Sequence, residues 1–175
     1  MDDDGSDCLI SVDCTDYKVT VKQGRPKAWF SYKFRNTGLR YEIGLCIKTG
    51  YIVWVNGPFP CGDYNDITIF RSALLHELDE NERVECDDGY GGEAPSFCKT
   101  PKKQKNYDDG DKLIMRGLVR SRQETVNKRL KQFNCLKVPF RHDVSFHGKF
   151  FRAAAVLTQL SIKHMEPLFQ VEYND

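Results

Sequence analysis

Residues 40–47 (RYEIGLCI), the turn Lys48-Thr49-Gly50 and residues 51–55 (YIVWV) read together as a β-hairpin. β-Branched and aromatic residues fill both arms, and the junction ends in glycine. Upstream, residues 8–13 (CLISVD) form a short apolar run that ends in a carboxylate, as a buried strand would. Between them, residues 29–35 (WFSYKFR) alternate large and polar side chains and predict a further strand or an extended arm. Residues 56–61 (NGPFPC) are punctuation rich in Gly and Pro. Asp66 then offers an N-cap to a helix carrying Ile67, Phe70, Leu74 and Leu78 at helical spacing. Residues 81–86 predict a short strand stopped by Asp87-Asp88-Gly89-Tyr90, and residues 96–99 another. From 111 to about 133 the period is helical, with Met115, Val119, Val126, Leu130 and Phe133 on one stripe. A last helix starts near Gly148 and carries Phe151, Ala154, Ala155, Leu157 and Leu160. Three strands, a helix, two short strands and two helices imply an α/β domain with a mixed sheet.

The chain has 175 residues, the size of a single domain with a real core. No stretch approaches the length of a membrane-spanning helix, so no membrane partner is expected. The acidic start MDDDGSD argues against a signal or transit peptide. Seven cysteines, never spaced CxxC, disfavour a disulfide framework and a zinc ribbon. The net charge of +1 conceals a division. Residues 62–98 hold ten acids and two bases, net −8, and residues 99–137 hold twelve bases and four acids, net +8. Acid clusters hold metal ions and basic segments hold phosphates, although two solvated faces that attract each other give the same pattern.

Three acids stand out by position. Asp13 ends the first strand, Asp87 ends the strand after the first helix, and Glu124 lies in the long basic helix. Neighbouring strands are about 4.8 Å apart, so carboxylates at two strand ends can converge on one ion. A helix over that edge can supply a third ligand, and such a site suits magnesium. The plain alternatives are a turn at Asp87-Asp88-Gly89, a local hydrogen bond at Asp13, and surface ion pairs of Glu124 with Arg120 and Lys128. Glu124 also lies opposite the apolar stripe. His142 and His147, with Cys135 or Cys98, are loosely spaced for zinc and fit hydrogen bonding near the last helix better. Trp29, Phe30, Tyr32 and Phe34 fit packing on the sheet better than stacking on bases.

The words around the acids carry more. Ser11-Val12-Asp13-Cys14-Thr15-Asp16 resembles the first block of DDE-type transposases of the PIF/Harbinger group. So do Tyr51-Ile52-Val53-Trp54 with Gly57-Pro58, and Gly62-x-x-x-Asp66-x-x-x-Phe70. Cys86-Asp87-Asp88-Gly89-Tyr90 resembles the family's (G/A)-D-x-G-Y, and Lys99-Thr100-Pro101 its L-T-P. The segment from Arg120 through Glu124 and Lys131 to Phe133 resembles R-x-x-x-E-x-x-x-x-x-L-K-x-F. Arg141-His142, His147 and Leu157-Thr158-Gln159 resemble the tail of the same domain.

The resemblance spans about residues 8–173 and implies an RNase H-like mixed sheet flanked by helices. It implies a triad of Asp13, Asp87 and Glu124 holding two Mg²⁺ or Mn²⁺ ions, for DNA cleavage and strand transfer. It assigns Asp66 to a family block, although a helix cap suits that residue better than a ligand role. DNA phosphates would be met by Lys102, Lys103, Lys105, Arg120, Arg122, Lys128 and Lys131, with Arg116 and Arg129 on the same helix. It also implies a nuclear location, a homo-oligomer on DNA and a separate Myb-like DNA-binding partner. The family's N-terminal DNA-binding region is not visible, so residues 1–175 read as one catalytic domain. Cys14 stands where the family often has Gly. The alternative reading is a transposon-derived module that binds DNA or protein without cutting.

Overall fold

A computed structural model of the chain describes residues 8–21, 26–101 and 110–171. They form a mixed six-stranded sheet flanked by helices. The strands are β1 (Cys8–Lys18), β2 (Phe30–Ser31), β3 (Asn36–Cys46), β4 (Ile52–Pro60), β5 (Arg83–Cys86) and β6 (Cys98–Lys99). The helices are α1 (Asp66–Ser72), α2 (Gly110–Leu130), the short α3 (Asn134–Lys137) and α4 (His147–His164).

The order is β2-β3-β1-β5-β6, with β4 also on β3. β3 runs antiparallel to β1, β2 and β4, whereas β5 lies parallel to β1, and β6 to β5. The expected hairpin is β3–β4, but both arms are longer than the sequence suggested. β4 continues through Asn56-Gly57-Pro58, where an edge strand tolerates proline because its outward N–H has no ladder partner. Gly44 faces Trp54 across this pair, and a Cβ at Gly44 would stand 2.8 Å from that of Trp54. Glycine there leaves room for the indole.

Residues 29–35 do not form the expected strand. Only Phe30–Ser31 pair with β3, and a turn follows in which Arg35 adopts φ 51°. Tyr32 is exposed there, whereas Trp29 packs against the core. The cap of α1 also differs from expectation. Asn65, not Asp66, accepts from Thr68 N at 2.9 Å, which leaves Asp66 in the first helical turn.

Side chains alternate across a strand, so β1 serves two cores. Val12 and Cys14 join Val84, Cys86, Phe70 and Tyr90 beneath α1. Tyr17 joins Tyr41, Ile43, Val126, Leu130, Phe151 and Ile162 beneath α2 and α4. Phe151 stacks on Tyr41 at 3.8 Å, and the Tyr41 hydroxyl lies 2.7 Å from Nδ1 of His147. That buried imidazole is held near pKa 4 by desolvation, so it packs neutral. Leu157 and Leu160, expected on the buried stripe of α4, are exposed. At 3.6 residues per turn they lie a third to half a turn round the axis from Phe151, whereas Ala154, Ala155, Thr158 and Ile162 share its side. No helix among the described residues is long and apolar enough to cross a membrane.

Candidate functional site

The site begins where two neighbouring parallel strands differ in length. The last residues of β1 and β5 in register are Val12 and Cys86. Their successors are Asp13 and Asp87. β5 ends there, but β1 continues to Lys18, so Asp13 lies within its strand rather than at the end. Asp87 instead caps the 3-10 turn Asp88–Glu93, with Oδ1 accepting from Gly89 N at 2.8 Å.

α2 crosses above this step. Gln123 and Asn127 are four residues apart and share a helix face, while Ser11 and Asp13 are two apart and share a sheet face. The two pairs meet. Ser11 Oγ donates to Gln123 Oε1 at 3.0 Å, and Asn127 Nδ2 donates to Asp13 Oδ2 at 2.9 Å. Gln123 also donates from Nε2 to Ile43 O at 3.0 Å, which ties α2 to β3. Glu124, beside Gln123, is exposed, as the helical wheel required of a residue off the apolar stripe.

Between strands and helix lies a cleft of about 180 Å³ lined by Asp13, Asp87, Glu124, Arg120, Gln123, Ser11 and Glu85. All three acids singled out in the sequence therefore border one cavity. Two larger hollows, at residues 134–150 and between β4 and α4, contain no carboxylate in their linings.

Desolvation pushes the Asp13 carboxyl up to about 6, opposed by Lys33 and reinforced by the charges of Asp87 and Asp66. Asp66 belongs to this neighbourhood, though it lies on another element. Its Oδ2 and Oδ1 of Asp87 stand 3.0 and 2.8 Å from where a Cβ on Gly89 would be, so the two oxygens are under 6 Å apart. Desolvation also raises the Asp66 pKa, opposed by Arg40 and Lys33. Arg40 holds Asp66 Oδ1 at 2.8 Å and grips Asp16 at 2.7 and 3.0 Å. Burial alone would raise the Asp16 pKa, but hydrogen bonds from Arg40 and Ser31 hold it below the usual carboxylate range. Asn127, Arg40 and Lys33 were absent from the sequence reading of the site. No local pattern in the sequence marks any of the three, since each reaches the site from a separate element.

The basic residues separate into three groups. Lys102, Lys103 and Lys105 lie outside the described residues. Arg120 borders the cleft, and Lys128 and Lys131 are exposed. Arg122, expected at phosphate, is 2% exposed. Its guanidinium donates to Ile47 O and, at 3.3 Å, to Phe169 O, so it braces the sheet to the chain after α4 and cannot meet DNA. Arg116 is likewise buried, 3.9 Å from Glu85. Cys14 is buried with Sγ 3.3 Å from the Tyr90 hydroxyl.

Among the described residues, no three His, Cys, Asp or Glu side chains are gathered tightly enough to hold a metal ion as they stand. The donor chemistry nevertheless suits a hard cation. Asp13 and Asp87 each have one oxygen fixed by a protein N–H, and the other, Oδ1 and Oδ2 respectively, accepts from no donor among the described residues. The chain matches no protein-family model, no curated protein and no solved structure.

Proposed function

We propose that this chain is an RNase H-like catalytic domain of a PIF/Harbinger-type DDE transposase, a divalent-metal-dependent DNA endonuclease and strand transferase. The observation that carries the reading is the shared cleft of Asp13, Asp87 and Glu124 at the step between β1 and β5. The motif resemblance pointed to the same three residues.

Asp13, Asp87 and Glu124 would hold two Mg²⁺ or Mn²⁺ ions. When bound, the ions activate water or a 3′-hydroxyl and steady the leaving oxygen of a phosphodiester. The chain's own residues prepare the site. Asn127 orients Asp13, and the Gly89 N–H orients Asp87. Arg120, on the rim, offers positive charge to the non-bridging oxygens of the substrate. A nuclear location, a homo-oligomer on DNA and a separate Myb-like partner follow from the same reading.

One observation favours a second reading, a module that binds DNA or protein without cutting: the acids are not gathered into a ready metal group. Mg²⁺ and Mn²⁺ titrations followed by thermal shift, alongside nicking of supercoiled DNA, separate the two. The enzyme reading expects metal-dependent stabilisation and nicking, both lost in Asp13→Asn, Asp87→Asn and Glu124→Gln variants that retain the wild-type metal-free melting temperature. Nicking at the wild-type rate by any one variant removes that residue from the site. A wild-type chain that neither nicks nor responds to metal supports the second reading.

A further inference from the structure

Beyond Val12, β1 loses β5 as a neighbour, and its backbone would face solvent on that side. The turn after β2 brings Lys33 there. Lys33 Nζ donates to Cys14 O at 2.7 Å, one residue past Asp13. The turn is pinned in place, because Lys33 N donates to Ser31 Oγ at 3.2 Å and Ser31 Oγ donates to Asp16 at 2.5 Å. From the other side, Lys131 follows the last residue of α2, four positions after the Asn127 that holds Asp13. Its Nζ lies 5.5 Å over the ring of Tyr17, itself four residues beyond Asp13 on the same face of β1. Two ammonium groups from separate elements therefore converge on the stretch of β1 just past the acid cleft.

We propose that Lys33 and Lys131 form a phosphate-binding pair, which holds a backbone phosphate of the DNA strand neighbouring the one to be cut. The inference rests on the nuclease reading above and adds the direction in which the strand leaves the acids. Each ammonium has three donors, and the described contacts occupy one of Lys33 and only the cation–π face of Lys131. Asp16 and Asp66 share Arg40 as their ion-pair partner. The attraction of Asp13, Asp16 and Asp66 for Lys33, and of Asp13 and Asp16 for Lys131, acts through space without a salt bridge to either lysine among the described residues. Partial desolvation of the ammonium where it lies over Tyr17, and the charge of Lys33, hold Lys131 below its ordinary pKa against the attraction of Asp16 and Asp13, so the two cations lie close enough to repel. A bound phosphate relieves that repulsion. Lysine suits this task as a compact point charge that follows a backbone without reading bases.

The test is binding of a fluorescent DNA duplex to the 175-residue chain, measured by anisotropy across a salt series in EDTA, so that catalysis plays no part. Lys33→Met and Lys131→Met are each expected to reduce the slope of log K against log salt by about 0.9 and to weaken binding roughly tenfold at 0.1 M salt. Lys33→Arg and Lys131→Arg should keep the slope. Lys163→Met, in the last turn of α4, should leave it unchanged. Melting temperatures of all variants are measured in parallel. A lower melting temperature with an unaltered slope makes these lysines structural and overturns the pair. If the wild type binds DNA while the Met variants match it, the pair is wrong and the nuclease reading stands. If the wild type neither binds nor nicks DNA, both fall.

Discussion

Arg122→Met tests whether a basic residue on the long helix serves the fold or the ligand. The substitution keeps most of the aliphatic stem and removes the charge and its donors. The structure gives the guanidinium two backbone acceptors, Ile47 O and Phe169 O, on segments far apart in sequence. Hydrogen bonds from a charged donor are worth about 1.5–3 kcal/mol each. Two lost bonds, partly offset by the apolar replacement, give a net loss of about 4 kcal/mol. For a domain of this size each kcal/mol moves the melting temperature by about 2–4 °C, so a drop of about 10 °C is expected. Thermal denaturation followed by circular dichroism measures it, and anisotropy with a DNA duplex below the transition measures binding. The salt slope of the folded variant should equal that of the wild type. A variant that melts within about 2 °C of wild type yet loses a unit of salt slope would refute the brace and return Arg122 to the DNA surface.

Glu42 sets a pH dependence. It is fully buried, with Oε2 accepting from Trp54 Nε1 at 2.9 Å, and desolvation pushes its carboxyl from 4.5 up to about 7, against that hydrogen bond. The folded chain thus binds the proton more tightly than the unfolded one. This contribution is fully present below about pH 4.5 and is lost as pH rises through 7, a loss of about 3 kcal/mol. Urea unfolding at pH 5 and pH 8 should show a smaller pH difference for Glu42→Gln than for wild type; equal differences would exclude Glu42 as the source. The cap of α1 gives a paired test. Asn65→Ala should cost about 1 kcal/mol in urea unfolding, through loss of the side-chain acceptor for Thr68 N. If Asp66 were the cap, Asn65→Ala would be silent.

Local pattern carried the elements, because strand and helix periods arise from the geometry of each segment alone. The hairpin, the stripe of α2 and the short strand before Asp87 all follow from side-chain spacing within about twenty residues. Asn65 and Asp66 show the limit of that reading: both are good caps, and the choice fell to Asn65 because Asp66 has Arg40 to pair with across the sheet. The turn at residues 32–35 shows another, since alternation does not reveal that the sheet leaves room for only two residues of β2.

Sequence by itself determined the α/β class, the division of acidic from basic segments, and which three acids merited attention. Tertiary structure alone decided which charges are available. Arg120 and Arg122 look alike in sequence, yet one borders a carboxylate cleft and the other is sealed against two carbonyls. Only the parallel register of β1 with β5 brings Asp13 beside Asp87, and only the crossing of α2 adds Asn127 and Glu124. The reason is physical: a residue's period depends on its own backbone, whereas burial and electrostatic pairing depend on partners supplied by distant segments.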